Sequence, residues 1–275
     1  MWRRETPVAE PRAISRGGNV PLSHLALFGW RAGVLAAVLF GWEGSARLHW
    51  IDPYLFSSPS AIWNRLRHLA ASGVLLGHVW ITVLETLLAL VVGATLGISL
   101  GMFLALCPRI AKILDPFNVA LNGLPRAALA PLFVVWFGIG MASKIAVGAS
   151  IVVFVCLFAT YAGMRNTDVV LLRAVRALGA TPRQVLLWVE LPFAIPWIFA
   201  GLRTSVAMAL IGTIIGEYVA ASKGLGWYIA YSGGIFDTTG VMVGLLVLGI
   251  IAVGLDIAVD RIGRKLTPWK PDDRR

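Results

Sequence analysis

The chain has 275 residues, of which 58% are hydrophobic and only 14% charged, and it carries a net charge of +10. Ordinary soluble domains carry about 25% charged residues, so this composition excludes a water-soluble globular fold. Several apolar runs reach the roughly 20 residues that a helix needs to cross a bilayer, which places the chain among polytopic all-α membrane proteins.

Residues 1–23 hold Arg3, Arg4, Arg12 and Arg16 among several prolines and read as a disordered cytoplasmic tail. A transmembrane domain is expected over 24–262, and a basic cytoplasmic tail over 263–275. Six spans are expected, at about 24–42, 79–106, 116–138, 144–164, 193–221 and 239–260. The first has no small-residue cleavage site and reads as a retained anchor rather than a removed signal peptide. Span two carries Gly93, Gly97 and Gly101 at four-residue spacing, near one face, where another helix can approach the backbone. That helix belongs either to the same chain or to a second copy. Glu85 falls near the outer end of this span.

Span three is interrupted by Pro125 and Pro131 and is expected to be broken or kinked. Asn118, Asn122 and Arg126 share one face of it if it is helical. Ionisable groups inside a bilayer are costly and mark functional candidates. A cation beside unwound backbone suits an anionic or strongly polar solute, so these three residues are candidates for a translocation path. Carbonyls freed by Pro125 are the structural alternative for Arg126.

Between spans four and five lies the densest local signal, a hairpin at 167–190. Gly179 suits the left-handed residue that ends a helix. Thr181 then reads as an N-cap, Pro182 as the first helical residue and Gln184 as the third, which together form a capping box. The second short helix is expected to stop near Leu191, because Pro192 disfavours helical geometry before it. An ordered helical hairpin in a membrane-protein loop reads as a docking element. In span five, Arg203 is expected to face the bundle interior or to bond a carbonyl. Glu217, near the outer end, is read chiefly as a hydrogen-bond acceptor for the following loop, with solute contact as the alternative.

The tail 1–23, the loops 107–115 and 165–192, and the C-terminal residues 261–275 hold 16 of the 24 Lys and Arg residues, against five in the opposite loops. The positive-inside rule then puts both termini in the cytoplasm. This asymmetry accounts for the basic excess without a nucleic-acid partner. No phosphate-cradling Gly-x-x-x-x-Gly-Lys-Ser/Thr occurs, so ATP chemistry requires another polypeptide. Cys107, Cys156 and four scattered histidines show no metal spacing, and no catalytic constellation is visible. Neither an enzyme, a metal site nor a cofactor is expected.

The hairpin resembles the EAA loop of ABC-importer permeases. Ala174, Gly179, Ala180, Leu191 and Pro192 match that pattern, while Arg173 and Val175 stand where the family has Glu and Ala. Ser58-Pro59, the stretch Leu124–Gly138, Gly216-Glu-Tyr-Val219 and Gly224-Leu-Gly-Trp227 are similar to the nitrate/taurine/sulfonate permease subfamily. The resemblance implies a multi-pass inner-membrane permease and a homodimer. It also implies a separate ABC ATPase subunit, an extracytoplasmic solute-binding protein, and a solute of the nitrate, sulfonate or taurine type. ATPase coupling would fall to Arg173, Ala174, Arg176, Gly179, Ala180, Thr181, Pro182, Leu191 and Pro192. The alternative expectation is an ion-coupled secondary transporter, which favours inverted repeats with matched broken helices.

Overall fold

The computed structural model describes residues 24–266, with side chains from Phe28 to Lys265. The tail expected at 1–23 and the residues beyond 266 lie outside the described residues. The described chain is helical throughout, with no strand. Its elements are α1 (His24–Arg47), α2 (Pro53–Phe56), α3 (Pro59–Ala71), α4 (Val74–Leu106), α5 (Pro108–Gly123), a 3-10 turn (Arg126–Leu129), α6 (Ala130–Phe137) and α7 (Met141–Arg165). The hairpin follows as α8 (Val169–Ala177) and α9 (Pro182–Val185). A π turn (Leu186–Glu190), α10 (Leu191–Ala220), α11 (Leu225–Gly234) and α12 (Thr238–Leu266) complete the chain.

Among the described residues, four helical segments are long and apolar enough to cross a membrane, and a fifth arises if the pair α5 and Arg126–Phe137 counts as one span. That pair bends by 82°, so the third span is broken at Leu124-Pro125 as its prolines require. α1 covers the expected first span. It meets α3, where the Ser60 N–H donates to Glu43 Oε2 at 3.0 Å, a carboxylate that also pairs with Arg47 within α1 at 2.7 Å, and its Trp42 packs against the cluster of Ile62, Leu225, Val243 and Val247.

The centre is a three-helix unit of α4, α7 and α10, and glycines set its spacing. A Cβ on Gly93 would come within 2.6 Å of the Val152 side chain, and one on Gly101 within 2.7 Å of the Leu157 carbonyl. One on Gly97 would strike the Val153 carbonyl. The glycine face of span two therefore packs on α7 of the same chain. Gly148 and Gly212 repeat the arrangement between α7 and α10, where a Cβ on Gly212 would meet Gly148 Cα at 2.5 Å. Leu90, Ala94, Val152, Cys156, Val206 and Ala209 fill the remaining space. A second apolar cluster joins α3, α11 and α12 through Ile62, Leu225, Val243 and Val247.

Pro192 does not end a helix. The segment Pro182–Ala220 runs on as 39 continuous residues. At the π turn the Leu191 N–H donates to the Leu186 carbonyl, one residue further back than in an α-helix. This wider turn keeps the Pro192 ring clear of the carbonyl it would otherwise strike, and Pro192 itself needs no donor's place in the ladder.

Gly97→Ala is expected to destabilise the bundle by ~1–3 kcal/mol through overpacking. Gly77, on the same helix, has open space around it. Gly77→Ala is therefore expected to melt like the parent protein. Thermal melting of the two detergent-solubilised variants checks this, and equal melting would contradict the close approach of α4 and α7.

Candidate functional site

The hairpin is built by local chemistry at each of its corners. Asp168 caps α8, its side chain accepting the Val170 N–H at 2.7 Å. At the other end Gly179 adopts φ +87°. The Gly179 N–H donates to the Arg176 carbonyl at 3.0 Å and the Ala180 N–H to the Val175 carbonyl at 3.2 Å. This pair of bonds is the Schellman arrangement, which needs a left-handed residue at that position. The Thr181 side chain then accepts the Gln184 N–H, while Gln184 Oε1 accepts the Thr181 N–H at 2.8 Å. The capping box expected from the sequence is thus present, with Pro182 in the first helical position.

Arg173, Ala174 and Arg176 are exposed on α8, and Ala180, Thr181 and Pro182 sit beside them across the turn. Val170 and Leu178 are 73% and 88% exposed, so the hairpin offers an apolar surface flanked by arginines. Leu191 and Pro192 lie further along, at the start of α10. Between the hairpin and the corner of α4 and α5 is a cleft of about 580 Å³, lined in part by Leu106, Pro108, Arg165, Arg176, Arg183 and Glu190.

Near the break in span three, Arg126 is half-buried. Its Nη2 donates to the Leu121 carbonyl and to Asn122 Oδ1, both at 3.2 Å, and its guanidinium lies 4.3 Å from the centre of the Phe154 ring. The structure joins Arg126 to Asn122 and to a backbone carbonyl near the break, while Asn118 stands a turn away without joining that network.

Arg203 neither faces the bundle interior nor bonds a carbonyl. It lies exposed between α10 and α12, where it meets Asp256 through two N–H groups and Asp260 through a third, each at 3.0 Å. Arg264 completes the network on Asp260 at 2.7 Å. A planar guanidinium is matched best by carboxylate pairs, and this pairing outcompetes lone carbonyls. The four-residue spacing of Asp256 and Asp260 on an otherwise apolar helix is the sequence signal that points to this partner.

At the opposite end of the bundle, Glu85 and Glu217 are both buried and lie together. Thr82 Oγ1 donates to Glu217 Oε1 at 2.7 Å, and the Gly226 N–H donates to Glu217 Oε2. The Leu225 N–H donates to Thr82 Oγ1 at 2.8 Å, and the Gly224 N–H to His78 Nδ1 at 3.1 Å. Glu217 therefore holds the Gly224-Leu-Gly-Trp227 turn against α4 and α10, as the structural reading of that residue expects. Gly224 has φ +112°, and a Cβ there would collide with the Glu217 carboxylate. Lys144, Thr82 and His78 belong to this end and carry no motif of their own; polar residues near the ends of apolar spans are their one sequence signature.

Known proteins share both the sequence and this architecture. The chain is 33% identical over 247 residues to the taurine transport system permease protein TauC of Escherichia coli, covering 86% of this chain and 88% of that protein. It is 33% identical over 234 residues to the formylaminopyrimidine transport permease protein ThiX of Halalkalibacterium halodurans, covering 83% and 91%. Its fold matches a chain of the MetNI methionine ABC transporter in an inward facing conformation, with a TM-score of 0.64 and 22% identity over 72% of this chain and 98% of that one. Residues 93–270 match the family model for the binding-protein-dependent transport system inner membrane component. With the hairpin, the broken third span and the glycine-spaced core all in place, the chain belongs to that family of ABC-transporter permeases.

Proposed function

We propose that this chain forms half of a homodimeric permease in an ATP-driven importer. In this reading it receives a small polar or anionic solute, of the taurine, sulfonate or nitrate kind, from an extracytoplasmic binding protein. The hairpin 167–190 docks on a separate ABC ATPase. The observation that carries the reading is the hairpin itself. Its turn is fixed by a Schellman motif and a capping box, yet Val170 at the start of α8 and Leu178 beside the turn are 73% and 88% exposed. A loop held rigid while it presents apolar side chains to water is built to be covered by a partner.

Closure of two ATPase subunits around ATP would move the paired hairpins, and the long helix that continues from α9 would carry that motion into the membrane. Each nucleotide state biases the permease by its differential affinity for the inward and outward arrangements. The names of TauC and ThiX support a small polar solute, and Arg126 and Asn122 are the groups on this chain best suited to meet one. Counting α1 and the bent pair as spans gives six crossings, and the basic asymmetry puts both termini and the hairpin in the cytoplasm. The family match leaves the ion-coupled alternative without support.

Gly179→Val tests the docking reading. Nothing lies within 4 Å of a Cβ there, so the cost comes from the left-handed backbone alone, of order 1–2 kcal/mol. The variant is expected to insert and dimerise, yet to lose binding-protein-stimulated ATP hydrolysis, and a crosslink from Ala180→Cys to the ATPase should weaken with it. Full stimulation and an undiminished crosslink would remove the hairpin from the coupling role. Arg126→Ala should assemble normally while uptake drops about tenfold, a loss of roughly 1.4 kcal/mol; unchanged uptake would leave Arg126 a structural residue. A C-terminal reporter active only outside the cytoplasm is expected to be silent, and strong activity would invert the topology.

A further inference from the structure

Glu85 on α4, Lys144 on α7 and Glu217 on α10 meet at the end of the bundle opposite the hairpin, at 2%, 6% and 1% exposure. Glu217 is bonded to Thr82, one turn before Glu85 on α4, so the two carboxyl groups are neighbours in the packed interior. Lys144 Nζ donates to the Ile139 and Gly140 carbonyls at 3.0 and 3.2 Å and stands 3.9 Å from Glu85 Oε1. With both carboxyls ionised, the cluster would hold two negative charges against one positive, out of reach of water. Like-charged carboxylates in contact in a dry site are strongly disfavoured.

The hydrogen bonds show which carboxyl is completed by protein donors. Glu217 is supplied at both oxygens, by Thr82 and by the Gly226 N–H. Glu85 is not: its Oε2 is buried without a donor. A protonated carboxyl is a donor, and the neighbouring Glu217 is an acceptor. We propose that Glu85 and Glu217 form a proton-binding site, with the proton covalently on Glu85 and donated to Glu217. A proton taken from solvent forms the O–H bond on Glu85. Glu85 is then neutral, and Glu217 and Lys144 balance each other.

The other titratable side chains around the cluster do not supply the missing charge. His78 on α4 accepts the Gly224 N–H at Nδ1, so that nitrogen carries no proton. Lys223, in the turn before Gly224, is exposed to solvent. Tyr218 on α10 and Tyr228 on α11 bear hydroxyl groups, which bring no positive charge. Proton binding here is independent of which solute the permease carries. Because Glu217 also clamps the 224–226 turn, lifting that turn or parting α4 from α10 would hydrate both carboxyls and release the proton. The closed arrangement binds one proton more than the opened one, so it is favoured as pH falls and weakened as pH rises.

Infrared difference spectroscopy of the purified full-length permease, Glu85→Gln against wild type at neutral pH, tests this. The wild type should show the carbonyl stretch of a protonated carboxyl, and Glu85→Gln should lose it. Glu85→Gln imitates the protonated group and should melt like the wild type. Glu217→Gln, which puts amide hydrogens where two donors already point, should melt clearly lower. No protonated-carboxyl band in the wild type overturns the proposal, and that reading needs no variant to fold. So does a band that survives Glu85→Gln, or a Glu85→Gln variant that melts as low as Glu217→Gln, which would mark Glu85 as an ionised partner of Lys144.

Discussion

Helices in a bilayer gain nothing by hiding apolar side chains from lipid tails, so α4, α7 and α10 are held by how closely their backbones meet. Gly93, Gly97 and Gly101 on one side, and Gly148 facing Gly212 on the other, remove every Cβ that would keep them apart. Dispersion between close-packed backbones then does what water exclusion does in soluble cores. The placement of two polar sites follows from this unit. It brings Glu85, Lys144 and Glu217 to one level, and at the other end it delivers the hairpin and the π turn at a fixed place below the bundle.

The two ends of the unit treat charge differently. Beside α12, exposed groups satisfy one another in an Arg203–Asp256–Asp260–Arg264 network. Surface pairs of this kind are worth little in water, where solvent competes for each partner. Here they let two apolar helices carry four charges, Arg203 on α10 and Asp256, Asp260 and Arg264 on α12. At the hairpin-distal end the groups are sealed from solvent, and partners come from backbone as well as side chains: the Ile139 and Gly140 carbonyls for Lys144, and the Gly226 N–H for Glu217. The 224–226 turn contributes to that seal because Gly224 and Gly226 let its backbone lie directly on the carboxylate.

Local signals were legible in the sequence where one residue type has one physical use. Gly179 ends α8 in left-handed geometry, and Thr181, Pro182 and Gln184 open α9, because few other residues fill those positions. Pro125 likewise announced the break in span three. Pro192 was misleading: its preference against helical geometry is local, and a π turn relieved the clash from outside the window in which that preference acts. Long-range partners were the least legible. Arg203 read as an isolated charge because Asp256 and Asp260 lie more than fifty residues away. The glycine stripe of α4 showed that a helix must approach, and only the fold shows that α7 is the helix that does.

The π turn that lets the chain run past Pro192 makes Pro182–Ala220 one rod of 39 residues. At 1.5 Å per residue such a rod is about 58 Å long, more than the hydrocarbon thickness of a bilayer. Its lower end begins at the cap of Thr181, and Glu217 sits within its last turn. A rod this long converts angle into distance: a tilt of about 5° pivoted at the hairpin displaces the far end by roughly 5 Å. A displacement of that size exceeds the reach of any hydrogen bond in the sealed cluster. Leverage along one helix is therefore enough to undo at one membrane face what is fastened there, when the push arrives at the other.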